Sequence, residues 1–270
     1  MGELQNPFLN TSEYHTPEGS RHWLDKLSLG SRFYFMLKFI YFVFKNRRIA
    51  NRGLYSRQIW IRSSVEIMKL MEQCGGRLHI TGIEHFSNIK EPVVFVSNHM
   101  STLETMVFPG IIATHKEVTF VVKDSLVTHP AFGPVMRATH PIVVSRSDSR
   151  GDFKIVMDRG KEMISNGYSV VIFPQSMRKV EFVPKEFNTL GVKLAKSNNV
   201  LVVPVAIKTD FWGNGKLIKD LGPINRSKPI HIAFGKPIAI QGNGSEDHQS
   251  VIRFIESHLE KWNTEDTRKN

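Results

Sequence analysis

The sequence predicts an α/β fold in which a mostly parallel sheet is flanked by helices. From residue 77 onward, short apolar runs typical of strands alternate with longer segments typical of helices. Two of the runs, Val93–Val96 and Val170–Phe173, are apolar without interruption. Such runs favour strands that are covered by helices on both faces of the sheet.

The individual elements follow from the same patterns, in chain order. Residues 1–20 are polar and aperiodic, so we predict a loose arm there. A helix is expected from about Leu54 to Gln73, ended by the glycines at 75 and 76. Strands are predicted over Leu78–Ile83, Val93–Val96, Val118–Val122, Ile142–Val144, Val170–Phe173, Leu201–Ile207 and Ile230–Phe234. Helices are predicted over Phe153–Ser165 (with Asp152 as N-cap), Glu186–Ser197 and His248–Trp262; the pattern leaves open whether the edge strands are antiparallel.

The first quarter of the chain combines positive charge with aromatic residues. The net charge is +11, and between Arg21 and Arg62 ten Lys and Arg residues accompany a single acid, Asp25. The apolar segment Phe33–Phe44 has 12 residues, whereas crossing a bilayer takes roughly 20. An interfacial helix needs rings at the headgroup level and cations on anionic lipid. We therefore predict that residues 1–75 form an arm and amphipathic membrane-associating helices; the alternative is a core helix with solvated basic neighbours.

Composition excludes several classes of site and partner. The chain has one cysteine, Cys74, which rules out an internal disulfide and any site built from several cysteines. No nucleic-acid-binding motif accompanies the basic stretch, so we expect no nucleic-acid partner. The remaining anionic partners that suit the charge are a membrane surface and phosphate-bearing substrates.

A histidine and a carboxylate follow one of the uninterrupted strands at a spacing that suits base catalysis. His99 comes shortly after Val93–Val96, and Glu104 follows five residues later, where a helix would begin. A carboxylate on one ring nitrogen fixes the histidine tautomer, and the other nitrogen can then take a proton from an alcohol. A second pair with this spacing, His79 and Glu84, lies in a half-exposed strand, and we interpret it as structural.

Three cations follow three other predicted strands. Lys123, Arg146 and Arg178 stand after the strands that begin at 118, 142 and 170. Because parallel strands deliver their carboxyl ends to one edge of the sheet, the three side chains could converge on a phosphate. The pattern therefore indicates a site for a phosphate-bearing alcohol beside His99.

In this light the sequence resembles the glycerophospholipid acyltransferases, the family of the lysophosphatidic acid acyltransferases. Four blocks of that family have similar counterparts here, in order, over about residues 78–240. The family's Asn-His-x4-Asp block is similar to Asn98-His99-x4-Glu104, and its Gly-x-x-Phe-x-x-Arg block to His140-Pro-Ile-Val-Val-Ser-Arg146. Its Phe-Pro-Glu-Gly-Thr-Arg block resembles Phe173-Pro-Gln-Ser-Met-Arg178, and its apolar strand with a central proline resembles Val202-Val-Pro-Val-Ala206.

The resemblance implies a role for each matched residue. His99 would be the general base and Glu104 its orienting carboxylate. Asn98, beside the base, would bind substrate. Arg146 and Arg178, with Lys123, would bind the acceptor's phosphate. Gln175 and Ser176 would line the acceptor's glycerol.

The chain departs from the family pattern at several of these positions. Glu104 replaces the aspartate, and Gln175 replaces the glutamate. Ser176 and Met177 also differ from the family residues, which leaves the identity of the acceptor open.

The resemblance also implies the reaction partners. The family works without metal or cofactor and takes acyl-CoA or acyl-carrier protein as donor. We therefore expect residues 76–270 to form an acyltransferase domain that acylates a lysophospholipid, with membrane lipids as further partners. The expected location is the cytoplasmic face of a membrane, peripheral or monotopic. Two alternatives stay open: a lipid or thioester hydrolase, and a non-catalytic protein that binds the membrane surface.

Overall fold

The computed structural model describes residues 6–27, 32–175, 177–215 and 222–268. Its centre is a sheet of eight strands in the order β1-β2-β8-β7-β3-β6-β4-β5. The strands are β1 (Tyr14–His15), β2 (Leu78–Thr81), β3 (Val93–Ser97), β4 (Val118–Lys123), β5 (Ile142–Val144), β6 (Ser169–Ile172), β7 (Leu201–Lys208) and β8 (Ile230–Phe234). The helices are α1 (Trp23–Leu27), α2 (Phe33–Asn51), α3 (Arg57–Gln73), α4 (Glu84–Ser87), α5 (Leu103–Ile112), α6 (Asp124–Thr128), α7 (Gly133–Ala138), α8 (Ser149–Ser165), α9 (Leu190–Ser197) and α10 (Ser245–Arg268), and a 3₁₀ turn covers Pro184–Glu186.

The prediction of a mostly parallel sheet flanked by helices is confirmed. Strands β3 to β7 all run in one direction, and the antiparallel pairs are β1 with β2 and β7 with β8. All residues of β3 and β6 are buried, as their uninterrupted apolar sequences predict. Two apolar clusters fill the space between sheet and helices, one on each face. All seven predicted strands occur, with ends shifted by at most two residues.

The N-terminal segment is more ordered than its composition predicts, and the prediction of a loose arm is wrong for the described part of it. Tyr14 and His15 pair with Ile80 and His79 at the edge of the sheet. Phe8 is fully buried in the same apolar cluster as the sheet. This polar segment has no periodicity of its own. The burial of one large ring fixes it, together with the strand pairing of two residues.

Helices α2 and α3 each bury one face in the apolar cluster that covers one side of the sheet, where α3 packs against α5. On α2, Phe35 and Phe39 contact the Trp212 ring edge-on, with centroid separations of 4.9 and 5.0 Å. Helix α3 begins after Ser56, whose hydroxyl accepts from the Ile59 N–H, and ends before Gly75 at a φ of +86°. Within the described ranges, we find no helix that combines the length and the apolarity needed to cross a bilayer.

All four helices that were predicted with bounds differ from them, and α3 begins at Arg57 rather than at about Leu54. Helix α8 begins at Ser149, four residues early, because Asp148 rather than Asp152 caps it through the N–H groups of Arg150 and Gly151. The segment predicted as one helix from Glu186 is divided into the 3₁₀ turn and α9. Helix α10 is longer than predicted, since its ends are polar and give no apolar signal.

Candidate active site

The carboxyl ends of β3, β6 and β7 meet at one edge of the sheet, and the candidate site lies there. Strand β3 ends at Ser97, so the following Asn98 and His99 leave the sheet at this edge. Helix α5 begins at Leu103 and holds Glu104 in its first turn. The short connection between strand and helix therefore brings the histidine and the carboxylate to the same place.

His99 and Glu104 form a hydrogen-bonded pair. The distance from His99 Nδ1 to Glu104 Oε1 is 2.8 Å. The carboxylate is fully buried, while the His99 side chain is 11% exposed. A carboxylate accepts, so Nδ1 carries the proton and the tautomer is fixed. Among the described residues, Nε2 of His99 has no hydrogen-bond partner, and this nitrogen is the one left to act as a base.

The Glu104 carboxylate is surrounded by donors. Besides His99, the backbone N–H groups of Met100 and Ser101 donate to Oε1 at 2.7 and 2.8 Å. The hydroxyls of Ser101 and Thr209 lie 2.9 and 2.7 Å from Oε2. Burial by itself would raise the pKa of Glu104, but the hydrogen bonds, first among them that of His99, outweigh it and lower the pKa below its ordinary value. The group is therefore a carboxylate at neutral pH.

The His99 ring is held on its face and through its backbone as well. It stacks on Phe173, with a centroid distance of 4.3 Å and an interplanar angle of 24°. The His99 N–H donates to Oε1 of Gln175 at 2.9 Å, and the His99 carbonyl accepts from the Lys179 N–H. The segment after β6 thus contacts both the ring and the backbone of His99.

Arg146 and Arg178 come together at the same edge. The Arg178 guanidinium donates to the Thr102 hydroxyl, inside the turn between His99 and Glu104. Desolvation, and after it the positive charge of Arg178, lower the pKa of Arg146, whereas the Asp152 carboxylate raises it. Paired guanidinium groups are the kind of arrangement that suits an anion with several oxygens.

Arg146 lies in the turn after β5 and has an unusual backbone conformation. The φ of Arg146 is +60°, a left-handed conformation that an arginine rarely adopts. The Asp152 carboxylate holds this turn by accepting from the N–H groups of Ser145 and Arg146 at 2.8 and 2.6 Å. Asp152, which the sequence predicted to be a helix cap, therefore holds the backbone of Arg146 in this conformation.

The other predicted site residues occupy different positions relative to the dyad. Lys123 ends β4 beside Val144 of β5, at the same edge, and its side chain is exposed. Both polar groups of the Asn98 side chain bind the backbone of Ile207, which joins β3 to β7. Gln175 is buried, and its oxygen contacts the His99 backbone as described. Ser176, predicted to line the glycerol, lies outside the described residues.

Ser101 and Thr209 are functional candidates that the sequence analysis did not identify. Ser101 stands two residues after the histidine, and a small polar residue in a turn gives little signal. Thr209 follows β7, 105 residues along the chain from the carboxylate that it contacts. Only the pairing of β7 with β3 brings it there.

The second His-x4-Glu pair has a structural position, as predicted. The His79 ring stacks on His231 at 5.0 Å, and its Nδ1 lies 2.9 Å from Nδ1 of His15. Glu84 begins α4, where its nearest ionic partner is His85 at 3.8 Å. In the described part of the chain, no group of three or more His, Cys, Asp or Glu side chains is arranged to hold a metal ion.

Comparisons with known proteins give one consistent result. A family model described as Acyltransferase matches residues 77–208, which include every described residue of the candidate site except Thr209. The chain is 25% identical to a 1-acyl-sn-glycerol-3-phosphate acyltransferase of Pseudomonas aeruginosa over 209 residues, 77% of this chain and 75% of that protein. It is 26% identical to a chloroplastic enzyme of the same name from Arabidopsis thaliana over 164 residues, 60% of this chain but only 44% of that protein.

A solved structure has the same fold. The crystal structure of the 1-acyl-sn-glycerophosphate acyltransferase PlsC from Thermotoga maritima matches with a TM-score of 0.64 at 18% identity. The match covers 88% of this chain and 97% of that one. The match of residues 77–208 to the Acyltransferase family model and the likeness to these relatives together support placing the chain in the family of the lysophosphatidic acid acyltransferases.

Proposed function

We propose that this chain transfers a fatty acyl group from acyl-CoA or acyl-carrier protein to the free hydroxyl of a lysophospholipid that resembles lysophosphatidic acid. The observation that supports this most directly is the contact between His99 and the buried Glu104, with two arginines beside it. The names of the relatives point to the same class of acceptor. His99 acts as general base in this proposal, and Glu104 orients it.

The chemistry follows from the tautomer of His99. Its Nε2 takes the proton of the acceptor hydroxyl as the oxygen attacks the thioester carbonyl. The carbon–sulfur bond of the resulting tetrahedral intermediate breaks, and the thiolate takes the proton back from the imidazolium. Glu104 stabilises the transient imidazolium, because a buried carboxylate 2.8 Å from Nδ1 favours the charged ring. No covalent acyl-enzyme is needed, since the alcohol attacks the donor directly.

The acceptor's phosphate gives the site its selectivity in this proposal. A dianionic phosphate relieves the repulsion between Arg146 and Arg178 and can bind each guanidinium through two hydrogen bonds. Lys123, exposed at the same edge, adds a third positive charge. Binding the phosphate holds the hydroxyl next to His99, which turns recognition into orientation for the reaction.

We further propose that α1 and α2 dock the enzyme on the cytoplasmic face of a membrane. The outward face of α2 carries apolar residues spaced three or four apart, which are Phe33, Leu37, Ile40, Tyr41 and Phe44. Trp23 and Leu27 of α1 are exposed as well, at 61% and 67%. Exposed Lys38 and Arg48 lie on the same helix and suit anionic headgroups. An enzyme held there would meet its lipid acceptor in the plane of the membrane.

The test measures thiol release from acyl-CoA, and from acyl-carrier protein, with a panel of lysolipids. His99→Ala is expected to lower the rate by roughly a hundredfold or more, since that is the usual contribution of a general base. Glu104→Gln is expected to cost roughly tenfold to a hundredfold, the range seen when a carboxylate that orients a metal-binding histidine is removed. The matched controls are His79→Ala and Glu84→Gln, the chain's other pair of this spacing, which should retain the wild-type rate.

The same assay separates the alternatives. Thiol released together with free fatty acid, without any acceptor, would identify a hydrolase. Absence of turnover with every donor and acceptor, combined with vesicle binding, would identify a non-catalytic surface protein. Equal rates for His99→Ala and wild type would rule out the dyad.

A further inference from the structure

We propose that Thr209, which directly follows the end of β7, is a positioning residue that holds Glu104 against His99. This inference rests on the proposed function, because it concerns how the same base is oriented. Thr209 lies outside the four sequence blocks and is fully buried. Its hydroxyl lies 2.7 Å from Oε2 of Glu104, the oxygen that does not contact the histidine.

Proton counting assigns the direction of this hydrogen bond. The Ser101 hydroxyl lies 2.9 Å from Glu104 Oε2 and 3.0 Å from Thr209 Oγ1, but it has one proton to donate. If Ser101 donates to the carboxylate, Thr209 is the second donor to Oε2, because an ionised carboxylate only accepts and the two oxygens lie 2.7 Å apart. If Ser101 donates to Thr209, the threonine proton can go only to Glu104. In both arrangements Thr209 donates to the carboxylate.

The pairing of β3 with β7 delivers Thr209 to this position. Asn98 binds the Ile207 N–H through Oδ1 and the Ile207 carbonyl through Nδ2, both at 2.9 Å. These two bonds fix the end of β7 directly beside the residue that precedes His99. Thr209 follows two residues later, so one side chain directly after β3 sets the distance between the threonine hydroxyl and the catalytic carboxylate.

The contact with Thr209 matters more for a glutamate at position 104 than it would for an aspartate. Glu104 has one more rotatable bond than the aspartate of the family pattern, and a free side chain would divide its time among more rotamers. Its Oε1 is fixed by His99 and two backbone N–H groups. The contacts to Oε2 then stop the carboxylate from rotating about its last bond, and Thr209 makes the shorter of these two contacts.

The experiment compares Thr209→Val, Thr209→Ser and the control Thr119→Val in the full-length protein. Thr119 is another fully buried threonine, and its hydroxyl donates to the His140 carbonyl, away from Glu104. Kinetics with acyl-CoA and lysophosphatidic acid give kcat and KM separately. We expect Thr209→Val to lower kcat roughly tenfold to a hundredfold, the usual loss for a hydrogen bond to a charged group, with KM within about threefold. Thr209→Ser should recover most of the loss, and Thr119→Val should keep the wild-type kcat.

A second readout does not depend on turnover. The ¹⁵N NMR spectrum of the imidazole rings reports which His99 nitrogen carries the proton, and Thr209→Val should reduce the Nδ1–H population while Thr119→Val leaves it unchanged. A wild-type kcat in Thr209→Val, or failure of serine to rescue a folded variant, would overturn the proposal. If the valine variant does not fold, Thr209→Ala provides the same comparison. If no acceptor supports thiol release at all, the proposed function fails, yet the NMR result still decides the role of Thr209.

Discussion

Arg178 donates a hydrogen bond to the hydroxyl of Thr102, which lies in the turn between His99 and Glu104. The guanidinium is therefore attached to the same short segment that carries the hydrogen-bonded pair. Any movement of that turn would displace Arg178 and the pair together. Under the proposed function, this contact would link binding of the acceptor's phosphate to activation of its hydroxyl.

Removal of the Arg178 charge should weaken use of phosphorylated acceptors specifically. We expect Arg178→Gln to lower kcat/KM for lysophosphatidic acid by roughly tenfold to a hundredfold, because a charge-assisted hydrogen bond is lost. With monoacylglycerol, which has no phosphate, the low rate should change by less than about threefold. Measuring both acceptors with both proteins isolates the interaction between guanidinium and phosphate. An equal loss with the two acceptors would mean that Arg178 acts only on the turn that holds the base.

The ionised state of Glu104 should contribute to stability in a defined pH range. Its folded-state pKa is lower than ordinary, so the contribution is fully present above the ordinary glutamate range and is lost as the pH falls through the folded pKa. Glu104→Gln lacks this contribution, and we expect it to be less stable than wild type by roughly 3 kcal/mol at pH 7, since it leaves donors facing a neutral amide. Urea unfolding at pH 7 and pH 3 tests this. The difference between the two proteins should shrink at the lower pH, and a constant difference would contradict the assignment.

The exposed face of α2 should decide membrane binding without affecting the fold. Leu37 and Tyr41 are 55% and 68% exposed, so replacing both by serine removes apolar surface that is not part of the core. We expect this double variant to bind anionic vesicles roughly tenfold more weakly, while its midpoint of thermal unfolding stays within about 2 °C of wild type. Ile155→Ser is the control, because Ile155 is an exposed apolar residue on α8. Equal vesicle binding by the double variant and the control would exclude docking through α2.

The buried carboxylate of Asp25 should be essential for attaching the N-terminal segment. Asp25 is fully buried and binds Arg21 at 2.7 Å and Arg226 at 2.6 Å, which joins α1 to the segment before β8. Asp25→Ala leaves two guanidinium groups without their shared anion, and we expect it to cost about 3 kcal/mol of unfolding free energy. Glu117→Gln removes the exposed ion pair with Arg57 and should cost about 1 kcal/mol or less. Denaturant titration measures both, and similar small losses would show that the buried cluster is not a stabilising contact.

The sequence predicted the strands well because their apolar runs record burial on both faces. It predicted the helix ends less well. Asp148 caps α8 and Asp152 lies in its first turn, and only the turn geometry distinguishes the cap from the residue that holds the backbone of Arg146. The early strand at Tyr14 was missed because its partner, β2, lies more than 60 residues away and local composition does not report it.

By itself the sequence determined the sheet and the order of its elements, and it predicted that His99 and Glu104 would lie together, since these depend on periodicity and on residues a few positions apart. The tertiary structure alone decided which distant groups complete the site. Thr209 reaches Glu104, and Asn98 binds Ile207, across more than 100 residues of intervening chain. Such contacts arise from strand pairing in three dimensions, and no local pattern encodes them, because a threonine after a strand looks the same whether or not a buried carboxylate lies beside it.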